Sequence, residues 1–186
     1  MKDLNNYYLR ELSESDLELV LNWRNSKPIQ KYMYTDHNIT MLEHQEWFKR
    51  VEKNENHIVR LLVYNEEPIG LVTINNFDNK NNKCYWGFYI GDRNAPRGSG
   101  TIMGILALEL IFENLQVRKL CAEVLENNIK SLNFHKKLGF KEEGRFVDHI
   151  VKNNQHFDVI PLALFKAEWI DVKKKLLINL RKEKYE

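Results

Sequence analysis

Residues 84–140 restrict the fold more than any other part of the chain. A strand-like run, Cys84-Tyr85-Trp86-Gly87-Phe88-Tyr89-Ile90, leads into Arg97-Gly98-Ser99-Gly100-Thr101. Apolar residues from Ile102 to Phe112 then mark a largely buried helix, and a second strand follows at 119–125. Next come Glu126-Asn127-Asn128-Ile129-Lys130-Ser131 and Lys136-Lys137-Leu138-Gly139-Phe140, with a helix predicted over about 128–138. A glycine-rich turn that opens a helix presents main-chain N–H groups to an anion, usually a phosphate or pyrophosphate. Glycines at 98 and 100 allow the backbone to approach that anion closely, and Arg97 supplies a positive charge beside it.

The remaining elements assemble around this unit without an internal repeat or a linker. Tyr7 to Leu12 reads as a strand, and Ser13-Glu14-Ser15-Asp16 has the pattern of a capping box opening a helix that stops before Pro28. Thr40-Met41-Leu42-Glu43 repeats that pattern for a second helix. Between them, Gln30 to His37 is aromatic and polar with no strong period. Three strands at meander spacing follow, at 58–64, 68–75 and 83–90. The chain closes with a hairpin around Lys152-Asn153-Asn154-Gln155 and a terminal helix. At 186 residues this is one domain.

The formal charge of +2 gives no basis for nucleic-acid or membrane-surface binding. The basic runs Lys173-Lys174-Lys175 and Arg181-Lys182-Glu183-Lys184 read as a solvated helix face and tail. No apolar stretch approaches the roughly 18 residues that span a bilayer. The polar start, Met1 to Asn6, lacks a signal peptide's apolar region, so the expected compartment is the cytoplasm. Cys84 and Cys121 lack metal-ligand spacing and read as buried, reduced thiols. No metal site is expected.

Three kinds of glycine loop compete. A phosphate-binding loop for nucleoside triphosphates needs a lysine that Gly100-Thr101-Ile102 does not offer. The dinucleotide fingerprint needs its third glycine at position 103, where Met103 stands, and nothing supplies a second parallel half. The third kind accounts for the whole chain. Arg97-Gly98-Ser99-Gly100 after a strand, with Asn128-Ile129-Lys130-Ser131 and Phe134-His135-Lys136-Lys137-Leu138-Gly139-Phe140 downstream, resembles the GNAT N-acetyltransferase superfamily. That family binds acetyl-CoA at such a turn. The resemblance implies an α+β, three-layer fold: a mixed central sheet of about seven strands flanked by helices, in a single domain over 1–186. The acceptor side falls at about 1–57, the acetyl-CoA core at about 58–140, and a hairpin and helix at about 140–186.

It also implies the site. Main-chain groups at Phe88, Tyr89 and Ile90 meet the thioester, and Arg97, Gly98, Ser99, Gly100 and Thr101 hold the pyrophosphate. Asn128, Ser131, Phe134 and Lys137 complete the acetyl-CoA site. Ala95 stands where the pattern prefers Gln or Arg, and His135 stands at the position of the family's common tyrosine acid. Acyl transfer to an amine needs a neutral nucleophile, a polarised carbonyl and a stabilised leaving thiolate. Glu123 is the candidate base, acting directly or through a water placed by Thr73. His135, if cationic, is the candidate acid; otherwise it positions coenzyme A.

The acceptor is addressed by the first third of the chain. Asn22-Trp23-Arg24-Asn25, Tyr32-Met33-Tyr34-Thr35 and Glu43-His44, with Tyr85-x-Gly87-x-Tyr89, resemble the branch that acetylates nucleotide-linked amino sugars in pseudaminic acid biosynthesis. The acceptor expected from that branch is a UDP-linked 4-amino-4,6-dideoxy sugar. Met33 and Tyr34 are expected beside the uracil or the sugar methyl, Arg24 and His44 at the phosphates, and Tyr85 and Tyr89 nearby. Met33 or Phe77 would wall the methyl group, whereas Trp47 and Phe48 read as helix core. The alternatives are a GNAT enzyme acting on protein N-termini or polyamines, and an acyl-CoA-binding module without turnover. The C-terminal hairpin and helix are the surface on which a homodimer would form.

Overall fold

The computed structural model describes residues 4–182. Residues 1–3 and 183–186, and with them the first half of the polar start and the end of the basic run at 181–184, lie outside the described residues. On the first strand (β1, Tyr7–Glu11), Arg10 donates both terminal guanidinium nitrogens to Asp16, each at 2.7 Å. Asp16 also accepts from the Ser13 amide, the carboxylate half of the predicted capping box. The box opens a single 3₁₀ turn, Glu14–Asp16, which continues into α1 (Leu17–Asn25). Pro28 does not end this helix directly. It lies in the first turn of a short second helix, α2 (Lys27–Gln30), where its missing N–H costs nothing. Thr40 caps α3 (Met41–Glu52) through the Glu43 amide, as its pattern predicts.

The meander follows as β2 (Ile58–Tyr64), β3 (Glu67–Asp78) and β4 (Lys83–Ile90). Asn65 and Glu66 take left-handed φ values of 48° and 68°, which make the tight turn between the first two. Strand β3 runs three residues beyond the expected 68–75, past an irregularity at Asn76. Then come α4 (Ser99–Glu109), a π-helical turn at Leu110–Asn114, β5 (Lys119–Leu125) and α5 (Ile129–Lys137). The first arm of the expected hairpin is broken into β6 (Lys141–Glu142) and β7 (Phe146–Lys152). Asp148 at φ 48° marks the irregular register of β7. Strand β8 (Gln155–Phe165) and α6 (Lys166–Lys182) close the chain.

The eight strands form one sheet, ordered β1-β2-β3-β4-β5-β8-β6, with β7 pairing to β8. Every pairing is antiparallel except β4 with β5. Strand alternation divides the core between two faces. Leu62, Val72, Ile74, Cys84 and Trp86 face α4, α5 and α6, whereas Val59, Leu61 and Leu71 face α1 through Val20 and Trp23. This is the expected three-layer arrangement, with eight strands instead of about seven. Cys84 and Cys121 are buried free thiols, and burial pushes Cys84 up to about 12. Phe77 packs on the α4 side of the core, not on an acceptor wall.

Candidate active site

Strands β4 and β5 pair only from Lys83 to Tyr85 and from Lys119 to Cys121. Beyond those residues they part, while β4 from Trp86 to Ile90 stays bonded to β3 on its other side. One edge of that stretch is therefore open, with main-chain groups facing the gap. A cavity of about 1040 Å³ runs through the gap between the two faces of the sheet. It is lined by Phe88, Tyr89 and Ile90 of β4, Glu123 of β5, Gly100 of α4, and residues of α3 and α5.

On the α4 side, Gly98 caps the helix with φ 92°, a left-handed value that favours glycine. The Ser99 hydroxyl donates to the Pro96 carbonyl at 2.6 Å, and Lys137 donates to the Thr101 hydroxyl at 3.2 Å. The Ser99 and Thr101 side chains are buried and hold the turn together, and their amides donate to the Pro96 and Gly98 carbonyls, which leaves the Gly98 and Gly100 amides to face an anion. Arg97 is exposed at the mouth. A Cβ built on Gly100 meets only Phe134 Cε2 at 3.9 Å and Ile90 Cγ1 at 4.0 Å, which is ordinary contact. Packing within the protein does not require glycine there, and the missing side chain leaves the space between Ile90 and Phe134 open. The residues present fit acetyl-CoA. Asn128 caps α5 by accepting from the Ser131 amide at 3.2 Å, and its motif also lines the cavity.

His135 does not have the properties of a cationic acid. It is 3% exposed, among Trp86, Phe88, Phe134 and Phe140. Burial holds its pKa down at about 4, only partly opposed by the Ser131 carbonyl 2.8 Å from Nδ1. That carbonyl can only accept, so Nδ1 carries the ring proton and Nε2 presents a lone pair. A neutral imidazole in this tautomer has no proton to give a thiolate from Nε2. The expectation of an acid at this position is therefore corrected to a packing role.

On the α1 side, the Tyr34 hydroxyl donates to Glu123 Oε2 at 2.9 Å, joining residues 89 apart in sequence. Tyr34 is 41% exposed; partial desolvation of its hydroxyl, then Glu123, pushes its pKa up, so the phenol stays protonated and donating. Thr73 Oγ1 lies 3.3 Å from the Gly87 carbonyl, on the same side of the gap. Arg24 donates to Thr35 through one terminal nitrogen. Its other, Nη1, is buried in the cavity wall with no hydrogen-bond partner among the described residues. His44 is 5% exposed and stacks on Trp47 with ring centroids 4.9 Å apart. Burial lowers its pKa, and its Nε2 also has no partner. Met33 and Tyr89 line the cavity. Tyr85 does not. It sits where β4 and β5 still pair, opposite Cys121, at the closed end of the gap. Trp47 packs against the core cluster of Val20 and Trp23, as expected, and also lines the cavity; Phe48 is buried as expected.

Sequence reasoning missed the residues that brace the acceptor loop. Asn25 Nδ2 donates to the Ile39 carbonyl at 2.8 Å, and the Ile39 amide donates back to Asn25 Oδ1 at 2.9 Å. Gln30 donates to Asn38 at 2.9 Å, and Lys152 reaches the loop from β7. The position of Asn25 beside Arg24 was a usable signal. Lys152, about 120 residues away, gave none. Among the described residues there is no cluster of three or more His, Cys, Asp or Glu that could hold a metal, and no helix long and apolar enough to cross a membrane.

Comparison with known proteins places these features in context. The family model described as an acetyltransferase (GNAT) domain matches residues 9–160. The acetyltransferase PseH of Campylobacter jejuni is 28% identical over 153 residues, covering 81% of this chain and 94% of PseH. The spermidine N(1)-acetyltransferase of Escherichia coli is 22% identical over 162 residues, 87% of each chain. The crystal structure of the Vibrio cholerae spermidine N-acetyltransferase in complex with CoA and spermine aligns with a TM-score of 0.83. That alignment covers 89% of this chain and 99% of that one at 20% identity, and it shows a common fold.

Proposed function

Because this chain belongs to the GNAT acetyltransferase family and is an acetyl-CoA-dependent N-acetyltransferase, we propose that its acceptor is a nucleotide-linked amino sugar. In this reading the acetyl group goes to the 4-amino group of a UDP-linked 4-amino-4,6-dideoxy sugar, as in pseudaminic acid biosynthesis. The observation that carries it is Arg24 Nη1, a buried donor of a fixed positive charge with no partner among the described residues, in the wall of the acceptor side. A guanidinium nitrogen that is buried without a partner calls for an anion, and the diphosphate of a nucleotide sugar is one. A polycationic acceptor would meet that charge with repulsion. The similarity to PseH supports the same choice.

The chemistry assigned to the chain's residues follows from their places. Glu123 accepts the proton that the amine sheds as its nitrogen bonds to the acetyl carbon and the carbon–sulfur bond breaks; coenzyme A leaves with the electron pair as a thiolate, which takes its proton from solvent. Tyr34 holds the carboxylate in one orientation through Oε2, which leaves Oε1 for the amine or a bridging water. A main-chain amide on the open edge of β4 hydrogen-bonds the thioester oxygen as negative charge develops on it. Thr73 orders water between the amine and Glu123.

The second reading, a polyamine or small-amine acceptor, rests on the spermidine acetyltransferases among the relatives and on Glu46 and Glu123 in the cavity wall. Acetyl transfer measured side by side with the UDP-linked amino sugar, spermidine and a free peptide N-terminus separates the readings. Turnover of the sugar, and a uridine nucleotide that raises Tm in wild type but not in Arg24→Met, are expected. Turnover of spermidine with no response to any uridine nucleotide would refute the sugar reading.

A further inference from the structure

Among the described residues Lys152 is the one lysine or arginine that is buried, at 6% exposure. It ends β7, paired with Gln155 across a turn whose shape comes from the left-handed Asn153 and Asn154, at φ 49° and 57°. That turn makes no use of the Lys152 ammonium. Its Nζ donates instead to the carbonyls of Gln30 at 2.8 Å, Lys31 at 3.0 Å and Met33 at 2.7 Å. An ammonium has three N–H donors, and this geometry commits all of them to one loop on the other side of the sequence. Burying a lysine head is costly unless every donor finds a partner. Arg24 and Asp36 are the charged groups near it.

The loop needs such an anchor. Gln30 to Ile39 has no sheet partner; main-chain turns from Lys31, Tyr32 and Met33 back to Lys27, Ile29 and Gln30 carry it as far as Met33, and beyond that it is held by side chains: Asn25 at Ile39, Gln30 at Asn38, Arg24 at Thr35 and Tyr34 at Glu123. The carbonyl that Lys152 holds at Met33 is one residue before Tyr34. We propose that Lys152 is the positioning residue of the acceptor side. From the C-terminal hairpin it fixes the 30–35 backbone so that Met33 faces the cavity and Tyr34 reaches Glu123. The role is the same for any amine, so it does not rest on the sugar reading.

Lys152→Met keeps the aliphatic stem and removes the donors. Hydrogen exchange on the full chain without ligand should rise in peptides covering 30–36 and stay unchanged in the central strands and α4. Acetyl-CoA affinity should stay within about twofold, while acceptor KM rises roughly tenfold or more, the scale of a lost charge-assisted hydrogen bond. The acceptor probe is the UDP-linked amino sugar, or spermidine if only that is turned over. In a double-mutant cycle with Glu123→Gln, Lys152→Met should lower kcat far less than it does alone, because it acts through Tyr34 on Glu123. Should Lys152→Met not fold, Lys152→Arg keeps the charge but spreads the donors in a plane, and the same loop-specific exchange is expected. Unchanged exchange at 30–36, a loss of protection spread over the whole chain in both variants, or full additivity with Glu123→Gln would each overturn the proposal. The exchange result needs no acceptor, so it stands whichever amine is used.

Discussion

Glu123 and Tyr34 form the contact on which the proposed chemistry turns, and their contributions separate by substitution. Glu123→Gln keeps the shape and removes the base, and kcat is expected to fall by roughly 10² to 10⁴, the usual range for a general base. Tyr34→Phe removes only the orienting hydrogen bond and should lower kcat about tenfold. Steady-state kinetics with saturating acetyl-CoA measures both. His135→Phe is expected to keep kcat within a few-fold, because the imidazole is neutral and its proton faces Ser131. A loss comparable to that of Glu123→Gln would restore His135 as a catalytic group.

At the scale of the element, the turn at 97–101 and the open edge of β4 are the proposed acetyl-CoA site. Gly100→Ala puts a methyl group beside Phe134 and Ile90, in the space proposed for the donor's arm. Acetyl-CoA affinity measured by calorimetry should fall at least tenfold while Tm stays close to wild type, since the added atoms meet no clash until a ligand arrives. Gly98→Ala should behave in the opposite way, losing about 1–2 kcal/mol of stability in chemical denaturation from its left-handed φ. The elements themselves were largely legible: β5 lies at 119–125 as its apolar pattern indicates, and Thr40 caps α3 through the predicted box. The loop at 31–40 was legible only as aromatic and aperiodic, because the bonds that shape it come from Asn25, Glu123 and Lys152.

For the whole molecule, acid is the sensitive direction. His135 has a folded pKa of about 4 against an ordinary value of 6.5, so the unfolded chain binds its proton first. Its contribution is complete above about 6.5 and is lost as the pH falls from there to about 4. His44 and His57, both lowered by burial, add to the loss in the same direction. Asp16 acts below that window. Arg10 holds it down at about 2, so its contribution is present above the ordinary carboxylate range and is lost as pH falls through about 2. Denaturant unfolding followed from pH 8 to pH 4 should show stability declining below 6.5, with a shallower decline in His135→Phe. A decline of the same slope in that variant would exclude His135 as a source.

The sequence by itself determined the order of elements, the glycine turn proposed to meet the pyrophosphate and the α5 motif beside it. Those depend on local properties: apolar period, capping residues and a backbone position that favours glycine. It also singled out Glu123, Arg24 and Tyr34, one by one. Only the tertiary structure decided which of these act together. It joined Tyr34 to Glu123 across the gap, moved Tyr85 to the closed end, turned Ser99 and Thr101 inward and buried His135 as a neutral ring. It also brought Lys152 from the far hairpin under the acceptor loop. A pKa, a tautomer or a contact over 120 residues is set by what surrounds a side chain in space, and spacing along the chain does not carry that information.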